Sequence, residues 1–157
     1  IMSTPFIRRA TRADILTIVG FNQAMAMETE NIALDTSTLI KGVESVFENP
    51  QNGFYIVCEI EGSVKACLMI TYEWSDWRNG FFWWIQSVFV EKDFRQRGLY
   101  KLMYTFIKTQ IEKDEEIVGL RLYVDDDNLK AQSVYNKTGM KKANYQLFEY
   151  TKPKTNE

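Results

Sequence analysis

Six consecutive residues, Arg95-Gln96-Arg97-Gly98-Leu99-Tyr100, combine residue types that suit the binding of a pyrophosphate. They separate an apolar segment that ends at Val90 from an amphipathic one, so they are predicted to join a strand to a helix. Such a junction gathers backbone N–H groups at the positive end of a helix dipole. Glycine would let the backbone approach a phosphate, and the two arginines add positive charge. Short motifs match often by chance, so the stretch alone favours an ordinary surface helix over a phosphate site.

The same six residues exclude two common nucleotide sites. They contain neither the Gly-x-x-x-x-Gly-Lys-Ser/Thr of a Walker A loop nor the Gly-x-Gly-x-x-Gly of a dinucleotide fold. Kinase and dehydrogenase activities are therefore not indicated.

A second segment, from Asn128 to Met140, places three chemically distinct side chains on one helix face. Asn128 stands where an N-cap belongs, and Gly139 stands where the helix would end. Asn128, Ala131 and Tyr135 are spaced by three and four residues, so they project from the same side. An amide, a small residue and a phenol there would form a wall for a thin chain. An N-cap followed by a core tyrosine fits the spacing equally well.

The elements that must position these residues follow from the hydrophobic periodicity. Strands are predicted at residues 6–9, 54–60, 64–72, 81–90, 120–124 and 145–150, the second and third joined by a turn at Glu61-Gly62. Helices are predicted after Thr11, at 35–47, at 99–113 and at 129–137. This order predicts an α/β fold of the α+β kind, with a mixed sheet and helices on its faces.

The composition of the chain excludes several classes of partner and catalytic site. The 157 residues suit one domain, and a formal charge of -2 gives no field that would gather nucleic acid or a membrane surface. The chain has no histidine, which removes Ser/His and Cys/His dyads and His-ligated zinc. Cys58 and Cys67 are interpreted as reduced core residues rather than a disulfide. No leader or membrane-spanning segment is recognised, so a cytoplasmic location is expected.

The two segments together resemble the GNAT superfamily of N-acetyltransferases. Its phosphate motif, Gln/Arg-x-x-Gly-x-Gly/Ala after the fourth strand, matches residues 95–100. Its Asn-x-x-Ala-x-x-x-Tyr-x-x-x-Gly-Phe pattern matches the segment from Asn128 to Met140. The resemblance covers residues 4–151 as a single N-acetyltransferase domain, with a polar tail at 152–157. Tyr100 and Met140 depart from the pattern, and the Tyr100 ring is expected to point away from the phosphates.

The resemblance implies the acyl-CoA N-acyltransferase fold, a mostly antiparallel mixed sheet split between strands 4 and 5 and flanked by helices on both faces. Acetyl-CoA would be the co-substrate, without a metal, and its pantetheine would lie in the split. A neutral amine would attack the thioester directly, with Tyr135 as general acid to the departing thiolate. The cofactor-binding residues would be Val88, Phe89, Val90, Arg95, Gln96, Arg97, Gly98, Leu99, Tyr100, Asn128 and Ala131.

The acceptor implied is a primary amine of a small molecule, polyamine-like or amino-acid-like. The candidate substrate residues are Glu28, Glu30, Trp74, Asp76, Trp77 and Gln86. Carboxylates and aromatic faces attract cationic amines. The general base stays open among Glu28, Glu30, Glu73 and Asp76, because Gln86 stands where polyamine acetyltransferases of the superfamily carry an acid. A protein or peptide acetyltransferase and a degenerate acyl-CoA-binding regulator are the alternatives, and a homodimer is compatible with the surplus of aromatic residues.

Overall fold

A computed structural model describes residues 3–155 of the chain. Within the described residues the chain forms two compact units, which divide between residues 123 and 124. The single domain over residues 4–151 stays a prediction, and the last two residues of the expected polar tail lie outside the described part. Within residues 3–155, no helix has the length and apolarity that a membrane crossing requires.

The first unit contains a sheet of five strands within its described residues. They are β1 (Phe6–Arg9), β2 (Phe54–Ile60), β3 (Ser63–Ser75), β4 (Gly80–Val90) and β5 (Ile117–Leu122), and they lie side by side in that order. Neighbours are antiparallel except β4 and β5, which are parallel. The predicted hairpin turn is confirmed: Glu61 and Gly62 have φ angles of 52° and 76°, the left-handed pair of a tight two-residue turn.

Three helices pack on this sheet: α1 (Ile15–Glu30), α2 (Thr36–Glu48) and α3 (Leu99–Glu112). Single 3₁₀ turns occur at Arg12–Asp14, Pro50–Asn52 and Lys92–Phe94. Asp35 caps α2 by accepting the Thr38 backbone N–H at 2.8 Å. Because β4 and β5 are parallel, the chain must cross the sheet between them, and α3 forms that crossover.

Helices α1 and α2 cover one face of the sheet, and α3 covers the other. The core under α1 and α2 consists of Ile18, Val19, Phe21, Val43, Val46, Tyr55, Val57, Cys67 and Phe89. Alternate strand residues such as Ile56 and Leu68 are buried on the opposite face with Met103 and Ile107 of α3. Cys58 and Cys67 are buried free thiols whose positions alternate between the two faces, which confirms the prediction of reduced cysteines. The predicted mixed sheet with helices on both faces is confirmed.

The second unit consists of α4 (Leu129–Lys137) followed by irregular chain. The predicted strand at 145–150 is wrong, because the segment forms no strand ladder in the described part. Its aromatic side chains are open to solvent, with Tyr145 82% exposed and Phe148 87% exposed. A strand needs a neighbour for its backbone groups, and alternation of side chains cannot show whether a neighbour is available. The strand predicted at 120–124 likewise lies earlier, at Ile117–Leu122.

Candidate functional site

A β-bulge interrupts β4 near its end. Between two neighbouring pairs, Met69 with Gln86 and Cys67 with Phe89, β4 carries one residue more than β3. Ser87 lies in this interval with a φ of 52°, in the left-handed region that non-glycine residues rarely adopt. An extra residue reverses the sides to which the following backbone groups point.

The strands β4 and β5 separate before β4 ends. Their parallel pairing runs from Phe81 opposite Ile117 to Ile85 opposite Leu122 and goes no further. The remaining residues of β4, 86–90, pair with no strand on that side within the described chain. This gap confirms the predicted split between the fourth and fifth strands.

The bulge turns two residues of β4 toward this gap. Glu91 donates its backbone N–H to the Lys65 carbonyl on β3, at 2.9 Å. Because successive backbone groups alternate in direction, those of Val88 and Val90 point away from β3, to the side that β5 has left. Without the extra residue they would face β3. Phe89 differs from its neighbours, since its backbone faces β3 and its ring is buried in the core.

The loop after β4 is exposed and ends in a glycine. Gln96 and Gly98 have φ angles of 62° and 75°, so the chain makes two left-handed steps before α3 begins at Leu99. No side chain of the described residues caps α3. The first backbone N–H groups of the helix are therefore left for another acceptor. A Cβ added at Gly98 would meet nothing within 4 Å, so the space beside it is open.

Two residues of the predicted phosphate segment are turned inward. Leu99 is 2% exposed and belongs to the core, so only its backbone can face a phosphate. Tyr100 is half-buried with its hydroxyl oxygen enclosed, and its ring centroid lies 6.2 Å from that of Tyr104. The ring thus packs along α3, leaving the exposed loop uncovered.

Arg95 is tied to α1. Its Nη2 donates to both carboxylate oxygens of Glu28, at 2.8 and 3.1 Å, and its Nε donates to the Val90 carbonyl at 2.8 Å. The guanidinium also lies 5.4 Å from the Phe89 ring centroid. Arg97 lies over the Phe94 ring instead, at 4.9 Å. A predicted phosphate residue is therefore paired with a predicted acceptor residue.

The structure does not bring the predicted acceptor residues together. Gln86 lies on the face of α1 and α2, where its Nε2 donates to Thr71 Oγ1 at 2.7 Å. Trp74 points to the opposite face and packs edge-on against Phe81 at 4.9 Å. Strand alternation places Trp74 and Gln86 on opposite faces of the sheet.

The remaining predicted acceptor residues are exposed. Asp76 accepts the Trp77 backbone N–H at 2.9 Å in the turn between β3 and β4. Trp77 is 91% exposed at that turn. Glu30 is exposed at the last residue of α1.

A polar cluster spans β3, β4 and β5, and of its residues the sequence singled out only Glu73, as a candidate base. Glu73 accepts hydrogen bonds from Trp84 Nε1 and Arg121 Nη1, each at 2.8 Å. The Arg121 guanidinium lies 3.7 Å from the Phe82 ring centroid, and Tyr123 packs on Trp84 at 4.5 Å. The only signal in the sequence is the alternation within each strand, which does not reveal how the strands are aligned.

In the second unit, α4 is the helix on which the sequence predicted a face formed by Asn128, Ala131 and Tyr135. Asn128 caps the helix by accepting the Ala131 backbone N–H at 3.1 Å, which confirms the predicted N-cap. Gly139 ends it with a φ of 94°, and Met140 donates its N–H to the Tyr135 carbonyl at 3.1 Å. Burial raises the pKa of the half-buried Tyr135 phenol above its ordinary value of 10.0. The protonated phenol is therefore favoured at neutral pH.

Residues 23–140 match a family model described as the acetyltransferase (GNAT) family. No curated protein matches the chain. Among solved structures, a possible acetyltransferase from Clostridium difficile 630 is 42% identical, with a TM-score of 0.89 over 96% of this chain and 99% of that one.

More distant structures share the fold. Glucosamine-6-phosphate N-acetyltransferase from Arabidopsis thaliana is 22% identical, with a TM-score of 0.72 over 95% of this chain and 99% of that one. A predicted acetyltransferase from Clostridium acetobutylicum, solved with acetyl-CoA, is 16% identical, with a TM-score of 0.75 over 94% of this chain and 96% of that one.

Proposed function

Because the chain belongs to the GNAT family of acetyltransferases, we propose that it transfers the acetyl group of acetyl-CoA directly to a primary amine of a small molecule. The observation that carries this proposal is the bulge at Ser87, beside the gap between β4 and β5. It turns the backbone groups of Val88 and Val90 toward a space where no strand pairs with them.

The gap and the loop after it fit the two ends of the cofactor. Backbone amides of Val88 and Val90 would hold the pantetheine, as an added strand would be held. The pyrophosphate would lie at the exposed loop of Arg95, Gln96, Arg97 and Gly98, where the uncapped N–H groups of α3 and the open space beside Gly98 favour an anion. Leu99 and Tyr100 would contribute backbone N–H groups only.

Asn128 and Ala131 are proposed to contact the cofactor chain from α4. The Asn128 side-chain oxygen already accepts the Ala131 N–H, so its amide NH₂ is the part left to donate to a carbonyl. The small side chain of Ala131 leaves room for a thin chain beside the helix.

The reaction we propose has no covalent enzyme intermediate. Acetyl-CoA supplies a thioester, and the acceptor nitrogen bonds to its carbonyl carbon while the carbon–sulfur bond breaks. The Val88 N–H would stabilise the negative charge that develops on the carbonyl oxygen. Alignment of the reacting atoms can contribute roughly 7–11 kcal/mol in such a step.

Tyr135 is proposed to donate a proton to the departing thiolate. Its raised pKa keeps the phenol protonated at neutral pH, so it is able to donate as the carbon–sulfur bond breaks. Because a thiol has an ordinary pKa near 8.5, this transfer is uphill, and the phenolate then regains a proton from solvent. The proton that the amine loses needs another acceptor. Glu28, Glu73 and Asp76 already accept hydrogen bonds, whereas Glu30 makes none among the described residues, so Glu30 acting through water is the proposed base.

The test is a thermal-shift titration with acetyl-CoA, followed by thiol release over a panel of primary amines. We expect a concentration-dependent rise in Tm and release of CoA with at least one amine. Absence of a shift would overturn the proposal. A shift without thiol release would favour an acyl-CoA-binding regulator, and acetylation of a protein substrate alone would favour the peptide alternative. A cytoplasmic homodimer stays a prediction, which size-exclusion chromatography and cell fractionation would test.

A further inference from the structure

We propose that Arg121 binds a carboxylate or phosphate group on the acceptor, at the end remote from the reacting amine. This inference rests on the proposed acetyl transfer, because it identifies which amines the same sheet face selects. The argument depends on the uncovered half of that face, on the donors that Arg121 presents, and on their distance from the bulge.

Helices α1 and α2 cover only part of their face of the sheet. The apolar core under the helices extends to Phe89 and Met69. Beyond them the same face carries half-exposed polar and aromatic side chains: Thr71, Glu73, Trp84, Gln86 and Arg121. This uncovered half begins at Gln86, next to the bulge, so it adjoins the proposed site of acetyl transfer.

Arg121 is held in one orientation. Its Nη1 donates to both oxygens of Glu73, at 2.8 and 3.2 Å, and its guanidinium lies 3.7 Å from the Phe82 ring centroid. The Phe82 ring can lie against β5 because Gly119 has no side chain; a Cβ there would come within 3.0 Å of the ring. A side chain fixed in this way loses little freedom when it binds a ligand.

In this orientation one edge of the Arg121 guanidinium keeps two hydrogen-bond donors that do not contact Glu73. The Nε–H and Nη2–H bonds of Arg121 lie side by side, the arrangement that matches a carboxylate or phosphate with two parallel hydrogen bonds. Neither makes a hydrogen bond within the described residues, and the Arg121 side chain is 29% exposed. Arg121 therefore keeps unused donors on a side chain that solvent partly reaches.

The local charge favours an anion. A second guanidinium, that of Arg78, lies 5.1 Å from the same Phe82 ring, so two guanidinium groups lie against one ring while the ion pair with Glu73 involves only that of Arg121. The excess positive charge opposes a polyamine at this end of the site and attracts an acid group. The acceptor is thereby assigned to amines that also carry an anionic group.

The strand spacing gives the length of such an acceptor. Arg121 lies opposite Trp84, three residues from Ser87, and its guanidinium extends over Phe82, five residues from Ser87. At about 3.3 Å per residue, the anionic group would lie roughly 10–16 Å from the bulge. An α-amino acid is too short, whereas an extended tetrapeptide spans about 14 Å.

The experiment compares tetraglycine, which ends in a carboxylate, with tetraglycine amide, which does not. We expect wild-type kcat/KM for the acid to exceed that for the amide by about tenfold, mainly through KM. Arg121→Gln should abolish the preference and Arg121→Lys, which keeps charge without the fork, should restore part of it. Arg12→Gln is the matched control, because Arg12 is exposed beside β1, at the opposite edge of the sheet.

Equal kcat/KM for acid and amide, or a preference that survives Arg121→Gln, would overturn the inference while leaving acetyl transfer intact. If neither peptide is acetylated, an NMR titration tests whether Arg121 binds the carboxylate. The Arg121 Nε–H resonance, assigned by its loss in Arg121→Gln, should shift with tetraglycine and stay in place with the amide. No shift with either would overturn the inference, whatever the outcome for acetyl transfer.

Discussion

Arg95 Nη2 and Glu28 Oε2 lie 2.8 Å apart, which joins the loop before α3 to the last turns of α1. Both side chains are more than one third exposed, at 39% and 44%, so solvent weakens their attraction. Under the proposed function, Arg95 must exchange this carboxylate for the cofactor's pyrophosphate. The ion pair therefore competes with cofactor binding.

The first prediction concerns that competition. Glu28→Gln should tighten acetyl-CoA binding by about 1.4- to 5-fold, because an exposed ion pair contributes roughly 0.2–1 kcal/mol. Isothermal titration calorimetry measures the change. Glu48→Gln, an equal change of charge at the exposed end of α2, should leave the affinity unaltered. Weaker binding in Glu28→Gln would show that the ion pair prepares the site rather than opposing the cofactor.

The second prediction separates backbone strain from phosphate contact at Gly98. Gly98 and Gly62 have φ angles of 75° and 76°, and open space surrounds both. Alanine at either position should lower the free energy of unfolding by roughly 1–2 kcal/mol. Only Gly98→Ala should also weaken acetyl-CoA binding, by roughly tenfold, because its methyl group would stand beside the phosphates. Equal acetyl-CoA affinities in the two variants would show that the phosphates do not bind at this loop.

The third prediction concerns the bulge. Ser87→Gly keeps the backbone amides in place and accepts a φ of 52° without strain, so turnover should stay within about twofold of wild type. Ser87→Val places a β-branched residue in the left-handed region and should lose roughly 1–3 kcal/mol of stability together with turnover. Chemical denaturation and thiol release measure the two effects. Loss of activity in Ser87→Gly would instead assign the chemistry to the hydroxyl.

The fourth prediction concerns Tyr135. Tyr135→Phe should lower kcat by about 10²- to 10⁴-fold, the usual contribution of general acid catalysis, with acetyl-CoA affinity unchanged. Tyr145→Phe is the matched control, since Tyr145 is 82% exposed in the same unit. Full turnover in Tyr135→Phe would exclude the role.

The raised pKa of Tyr135 also predicts the form of the pH profile. The acid works while the phenol is protonated, and burial favours that form, so activity should not decline until the pH exceeds the ordinary value of 10.0. A decline in wild-type kcat well below that pH would contradict the assignment.

The fifth prediction concerns stability at low pH. Arg8 donates to Asp14 at 2.7 Å, and this hydrogen bond holds the pKa of Asp14 below its usual 3.8. The contribution to stability is fully present above that usual value and is lost as the pH falls through the depressed one. Asp14→Asn should lower the free energy of unfolding at pH 7 by about 1–3 kcal/mol and flatten its acid dependence. An unchanged slope in denaturation curves from pH 5 to pH 2 would refute this.

Local features were predictable because neighbouring residues determine them. The turn at Glu61-Gly62, the cap at Asn128 and the start of α3 after Gly98 each depend on φ preferences or hydrogen bonds within a few residues. The prediction of a strand at 145–150 failed for the opposite reason. Its alternation describes a segment that is able to pair, while the pairing itself requires a neighbouring strand.

The sequence by itself determined the family, the order of the elements up to α4 and the two segments that carry its motifs, because these depend on residue type and short spacing. Only the tertiary structure decided that the extra residue at Ser87 turns Val88 and Val90 toward the gap. The same register placed Trp74 and Gln86 on opposite faces and brought Arg121 to Glu73, 48 residues away. Register is a relation between distant strands, and one inserted residue reverses it without altering the local pattern.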